Sequence, residues 1–198
     1  MPSLRALLVA VALLLVGGCS SFVTGMGESA NAALEQALQV GIDGFETADA
    51  PAPPAAICQS SSDPAPQVDA SLGGPASAAY TDGDAELHAW AWRTSSAEEV
   101  VDRAVAGSDA CEQELYADYD TDGDGRIDSG SHTETTAGRY DRSGWTGVAI
   151  STEEDGDPTA VTRYVRRDDV VVLVTLTGGG DDANATVDAY LEAVAAAL

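Results

Sequence analysis

The sequence contains no lysine, and its nine basic residues, all arginine, face 33 aspartates and glutamates. The formal net charge is -24, so the chain repels nucleic acid and anionic lipid headgroups, and neither is an expected partner. Histidine is scarce: the two residues, His88 and His132, do not form the one-turn pair of a helical zinc site. A GxSxG motif is also missing. These absences predict a protein that is not an enzyme.

The N-terminus carries the pattern of an exported, lipid-anchored protein. Arg5 precedes the uncharged run ALLVAVALLLVGG (6–18), which is shorter than the roughly 20 residues of a membrane span and suits a signal-peptide core. Its end, Val16-Gly17-Gly18-Cys19, resembles the bacterial lipobox, in which cleavage before the cysteine precedes its lipidation. The pattern predicts a lipoprotein signal peptide at 1–18 and a lipidated Cys19. The other interpretation is an ordinary signal peptide followed by a chance cysteine.

Lipidation of Cys19 would fix where the protein works. Two or three acyl chains, such as palmitate, anchor a protein far more firmly than one. The expected location is therefore the cell membrane, with the chain on its extracytoplasmic side and the membrane as a partner through the lipid. In that oxidising compartment the remaining cysteines, Cys58 and Cys111, are expected to form a disulfide bond. The alternative is two buried free thiols.

Composition divides the rest of the chain into three parts. Residues 19–28 form a short lipidated tether, and residues 29–67 contain a helical pattern followed by a Pro/Ala-rich linker. The first helix could pack on the main domain or stand apart from it. Residues 68–198 are long enough to form one domain with its own core.

Apolar patterning within residues 68–198 predicts six strands and two helices. The strands are expected at Ala76–Tyr80, Ala85–Arg93, Ser131–Tyr140, Trp145–Ser151, Ala160–Arg167 and Val170–Thr177, with helices at Ser96–Gly107 and near the C-terminus. This order requires no parallel crossover. The expected fold is α+β, an antiparallel sheet of about five to six strands with helices packed on one face.

Two segments carry a resemblance to a known family: AWAWRTSSAEEVVDRAVAGSDAC (89–111) and YVRRDDVVVLVTLTGGGDDANATVDAYLEAVAAAL (164–198). With the lipobox and tether before them, they resemble actinobacterial surface lipoproteins similar to the extracytoplasmic sensor domain of mycobacterial serine/threonine kinases. The resemblance implies a sensor-like domain that recognises a small ligand or an envelope component in a cleft. That family typically has a second disulfide, which this chain lacks.

The stretch DTDGDGRID (120–128) follows the first part of a helix-loop-helix calcium loop. The candidate Ca²⁺ ligands are Asp120, Asp122, Asp124, the carbonyl of Arg126, and Asp128. Ser131 stands where the bidentate glutamate belongs, so Asp118 or Glu134 would have to supply the missing oxygens, and a strand is expected after the loop. The alternative is a solvated acidic turn.

One predicted strand has a large aromatic face. Trp90 and Trp92 alternate with small residues, and they predict either the wall of a ligand cleft, together with Trp145, or a sheet face packed against the Ser96–Gly107 helix.

Taken together, these patterns predict a membrane-anchored, non-catalytic lipoprotein that binds a ligand or partner in the cell envelope. The alternative is a calcium-stabilised structural or adhesive surface module that uses the 120–128 aspartate loop.

Overall fold

The computed structural model describes residues 31–58, 65–120, 126–127 and 129–198. Helix α1 includes the described residues 31–38. The other helices are α2 (Ala97–Ala106) and α3 (Ala183–Ala197). The strands of the described chain are β1 (Glu46–Ala48), β2 (Ala76–Asp82), β3 (Ala85–Arg93), β4 (Gln113–Tyr119), β5 (Ser129–Arg142), β6 (Trp145–Glu154), β7 (Asp157–Arg167) and β8 (Val170–Thr177).

These strands form one sheet in the order β1-β2-β3-β8-β7-β6-β5-β4, and every neighbouring pair is antiparallel. Tight turns connect the long strands β5, β6 and β7. Ser143-Gly144 and Asp155-Gly156 all have positive φ, as two-residue hairpin turns of the primed type require. The α+β class and the antiparallel sheet are confirmed, but the described residues form eight strands rather than five to six.

The two unpredicted strands lie at the edges of the sheet. Strand β1 has three exposed residues and pairs only with β2. Strand β4 has no fully buried residue. Its sequence QELYADY also lacks the apolar alternation by which a half-buried strand is recognised, which is why the sequence does not predict it.

The prediction that the helices pack on one face of the sheet is wrong. Strand β8 has buried side chains on both faces, since Val172 and Val174 point to one side and Val171 and Leu173 to the other. Helices α1 and α3 cover the first side, and α2 covers the second. A strand that is apolar on both faces requires a cover on both faces.

The first helix packs on the domain rather than standing apart. Leu34 and Leu38 are buried in the same core as α3. The hydroxyls of Tyr80 and Tyr190 both donate to the carbonyl oxygen of Leu38, at 2.7 and 2.9 Å. This carbonyl lies at the end of α1, where a helix leaves its acceptors without partners of its own. Two buried tyrosines therefore attach α1 to the sheet and to α3.

A buried ionic cluster attaches α3 to β7. Arg163 is 4% exposed, and its guanidinium lies 3.5 Å from Asp188 and 2.6 Å from the amide oxygen of Asn184. Asp188 also accepts hydrogen bonds from Tyr140 and Arg142. Burial and the nearby Asp188 raise the pKa of Tyr140 to about 12, so its hydroxyl remains a donor at neutral pH.

Loss of the charge on Asp188 should destabilise the domain. Asp188→Asn leaves the buried Arg163 without its main counter-charge, and we expect the free energy of unfolding to fall by about 3 kcal/mol in urea titrations. The matched control is Glu192→Gln on the same helix, because Glu192 is 54% exposed and lies 4.0 Å from Arg142. This control should change stability by less than about 0.5 kcal/mol. Equally small effects of both variants would contradict the assigned role of the cluster.

Candidate functional site

Residues 51–58, called the strap here, cross the sheet face that α2 also covers. The indole N–H of Trp90 donates to the carbonyl of Pro51 at 2.9 Å. The backbone N–H of Ile57 donates to the carbonyl of Pro66 at 3.0 Å, so the strap pairs with the chain that returns from it. The strap is proline-rich and outside any helix or paired strand, so these few contacts determine its position.

The predicted disulfide is confirmed and holds the end of the strap. Cys58 is bonded to Cys111, with their Cα atoms 5.7 Å apart. Cys111 is fully buried in the core beneath α2. The bond therefore connects the strap to the segment between α2 and β4.

A first cavity of about 760 Å³ lies between the strap and α2. Its walls include Pro53 and Pro54 of the strap, Trp92 of β3, and Val100 and Arg103 of α2. This volume is within the usual range for small-molecule sites, about 300–1,000 Å³.

Arg103, the one arginine among the described residues that line this cavity, is already paired. Arg103 lies 3.0 Å from Asp69 and 3.0 Å from Glu99. Hydrogen bonds from Ser71, and then the contact with Arg103, lower the pKa of Asp69, so this carboxylate stays ionised well into the acid range. An anionic ligand would have to compete with two carboxylates for Arg103.

The two predicted cleft tryptophans are mainly core residues. Trp90 and Trp92 are each 3% exposed and pack in the core under α2. Trp92 donates its indole N–H to the carbonyl of Gly73 at 3.1 Å and forms part of the first cavity wall, whereas Trp90 does not line it. Trp145 lies in the core on the opposite face of the sheet and therefore cannot extend the same wall.

A second cavity, of about 600 Å³, lies on the other side of the strap, over strands β4 to β8. We call it the threonine groove, because its walls include Thr133, Thr135, Thr152, Thr162 and Thr175. Sequence reasoning did not identify it. The threonines come from four different strands, and the alternation of Thr133 and Thr135 is the only local signal.

The aspartate loop lies mostly outside the described residues, which include Asp120 and Arg126 but not Asp122, Asp124 or Asp128. Tyr119 pairs with Ser129 at the base of the loop, so a strand follows it, as predicted. Within the described ranges, no group of three or more histidine, cysteine, aspartate or glutamate side chains is arranged to hold a metal ion.

The structure separates the two residues proposed to complete the loop's ligand set. Asp118 lies opposite Gly130, close to the loop base. Glu134 lies opposite Glu114, five residues along β5 from Ser129, which corresponds to about 17 Å. Asp118 therefore lies one residue pair from the loop base, whereas Glu134 lies five residues further along the hairpin.

The imidazole of His132 lies beside an acidic side chain and a tyrosine ring. Its Nε2 lies 3.1 Å from Glu114, and Tyr116 stacks on the ring with centroids 4.6 Å apart. A hydrogen bond from Tyr116 lowers the pKa of Glu114, with a further contribution from His132. Ser131 instead lies near the hydroxyl of Tyr119.

Comparison of the chain with protein-family models, with curated proteins and with solved structures finds no match. None of the helices in the described part of the chain combines the length and apolar character needed to cross a membrane.

Loss of the disulfide should loosen the strap. The bond closes a sequence interval of 53 residues, and Cys58→Ser with Cys111→Ser should lower the free energy of unfolding by up to about 4 kcal/mol. Amide hydrogen exchange should rise most at Ile57 and Val68, whose N–H groups bond across the strap, and least in β8. Wild-type protein in reductant is the control and should reproduce both changes. An equal rise in amide exchange throughout the domain would contradict the conclusion that the disulfide fixes the strap in particular.

Proposed function

We propose that this chain is a membrane-anchored extracytoplasmic lipoprotein, without catalytic activity, whose domain binds a ligand or partner in the cell envelope. The single observation that carries the anchor is the lipobox-like Val16-Gly17-Gly18-Cys19 after an uncharged run. The disulfide supports this location, because such bonds persist in oxidising compartments.

The spacing between Cys19 and the domain determines how far from the membrane such an anchor would hold the domain. Helix α1 joins the core at Leu34, after the exposed residues 31–33. The chain from Cys19 to residue 31 can reach at most about 40 Å. Lipid on Cys19 would therefore keep the domain close to the membrane surface, where envelope components are concentrated.

The binding role rests on the face that the strap covers. Two cavities, of about 760 and 600 Å³, lie on either side of it, and Pro54 lines both. Protein interiors are usually close-packed, so two cavities of this size beside one disulfide-bonded segment favour a binding role over a purely structural one. We infer a sensor-like binding domain, as the resemblance of residues 89–111 and 164–198 implies.

The anchor is tested with Cys19→Ala in the full chain, expressed in a bacterial host that processes lipoproteins. We expect the wild-type chain in the membrane fraction and in the detergent phase of a phase partition, because acyl chains hold it there. The Cys19→Ala variant should move to the aqueous phase and change its electrophoretic mobility. Ser20→Ala is the matched control and should behave as wild type. The anchor proposal is falsified if Cys19→Ala leaves both properties unchanged.

A second candidate function is a calcium-stabilised structural or adhesive surface module. The observation that favours it is the ligand spacing in DTDGDGRID (120–128), combined with the pairing of Tyr119 with Ser129, which confines the loop between two adjacent strand ends. Carboxylates held in a small volume repel one another, and a divalent cation relieves that repulsion. An incomplete ligand set predicts a dissociation constant of about 10⁻⁴–10⁻³ M, as in extracellular modules.

A thermal melt with calcium or with chelator tests this module. At calcium about ten times the dissociation constant, the added stability is about 1.4 kcal/mol, which corresponds to a rise in Tm of roughly 3–5 °C. Asp124→Asn should abolish the shift, whereas Asp181→Asn, an exposed acid next to α3, should leave it intact. No shift at about 10 mM calcium would remove the site.

A further inference from the structure

The floor of the threonine groove is a set of paired hydroxyls. Thr135 and Thr152 lie directly opposite each other on β5 and β6, with their hydroxyl oxygens 3.1 Å apart. Thr162 and Thr175 form the same arrangement on β7 and β8, at 3.2 Å. Within each pair one hydroxyl donates to the other, so one O–H and several lone pairs remain for a ligand. Each pair is thus both a donor and an acceptor.

The two pairs are spaced across the sheet. Two strand spacings, about 10 Å, separate the β5–β6 pair from the β7–β8 pair across the sheet, and the pairs are also offset by two residues, about 7 Å, along the strands. Ile150 lies opposite Thr162 and two residues from Thr152 on the same face, and Leu115 and Pro54 form apolar parts of the wall. The groove therefore alternates hydroxyl pairs with apolar surface over the length of a small oligomeric ligand.

None of the described residues that line the groove carries a charge, although the chain has 33 acidic side chains. Besides the threonines, the side-chain polar group in the lining is the amide of Gln113. Among the described lining residues an anionic ligand would find no cation, and the chain has an overall charge of -24. A cationic ligand would find no carboxylate among the same residues. The groove is suited to a neutral ligand.

The polar groups of the groove also exclude two kinds of neutral ligand. An acyl chain would bury the remaining hydroxyl donors and acceptors without partners, which costs binding free energy. An extended peptide bound along the floor would need backbone partners, but β5, β6, β7 and β8 are already paired with one another there. A ligand that carries its own hydroxyls, each able to donate and accept, meets both requirements.

We propose that the threonine groove binds a neutral glycan, with its hydroxyls bonded to the pairs Thr135–Thr152 and Thr162–Thr175 and its C–H faces on Ile150 and Leu115. The inference rests on the proposed function, since it names the ligand class of the envelope-binding domain. It assigns the binding to the groove rather than to the first cavity, where Arg103 and Asp69 form a charged wall.

The test uses the full chain, purified in detergent with its disulfide intact, and short linear neutral glucans and mannans as probes. Two variants remove the hydroxyl pairs: Thr135→Val with Thr152→Val, and Thr162→Val with Thr175→Val. Removing both partners of a hydrogen bond with side chains of similar shape leaves stability nearly unchanged. The corresponding Thr→Ser pairs keep the hydroxyls. Thr136→Val is the matched control, because Thr136 neighbours Thr135 on β5 and points to the opposite face, where it is exposed.

We expect calorimetry or ligand-observed NMR to detect at least one neutral glycan, and each valine pair to weaken its affinity by about tenfold. The serine pairs should bind the glycan with nearly wild-type affinity, because they keep the hydroxyls. The affinity of Thr136→Val should equal that of the wild type. An oligosaccharide of uronic acids should bind more weakly than its neutral counterpart. Thermal melts must stay close to wild type, and a valine pair that unfolds the chain is replaced by its single Thr→Val variants.

Several outcomes would overturn the inference: no binding of any neutral glycan, binding that survives both valine pairs, or preferred binding of the uronic acids. If the chain retains an envelope protein or peptide that added glycans do not displace, the ligand belongs to another class, and this result also counts against the groove inference. These failures are distinct from failure of the proposed function. The behaviour of Cys19→Ala tests the anchor independently, and saturating pull-downs from cell envelope that recover neither glycan, lipid nor protein would remove the binding role altogether.

Discussion

Strand β8 must be covered on both of its faces, and the arrangement of the other elements follows from that constraint. Its residues from Val170 to Val174 are almost completely buried, although β8 is part of an antiparallel sheet. Antiparallel sheets commonly leave one face to water, but here that would expose a full row of valine and leucine side chains. Helices α1 and α3 cover one row, while α2 and the strap cover the other.

The two covers differ in how firmly they are fixed. On the α3 side, the Arg163–Asp188 cluster and the two tyrosines that bond to Leu38 add directional contacts to a continuous apolar core. On the strap side, the segment 51–58 is held by one disulfide, the indole of Trp90, a few backbone hydrogen bonds and the buried side chain of Ile57, and cavities of about 760 and 600 Å³ lie beside it. Both faces therefore have a buried apolar core, but the two cavities lie on the face that the strap crosses.

The sequence predicts the strands that are buried, but it does not predict the exposed strands at the edges of the sheet. The bounds of β3 and β8 agree with the prediction, because both strands carry long apolar or alternating runs. Strands β1 and β4 were missed since edge strands bury too little surface to leave a pattern. The near-continuous apolar run in β8 is typical of a strand buried on both faces, and it contradicts the prediction that the helices pack on one face. The threonine groove depends on strand register, and register among four strands is a tertiary property.

The charge of the chain is consistent with a neutral site on the α2 face. A net charge of -24 spread over a small domain keeps it soluble and repels anionic headgroups, so a domain held within about 40 Å of the membrane by its lipid would not lie flat on it. A neutral glycan would experience none of that repulsion, because it carries no net charge. If the groove binds such a glycan as proposed, the acidic surface would disfavour anionic polymers there without disfavouring neutral ones at Thr152 and Thr175.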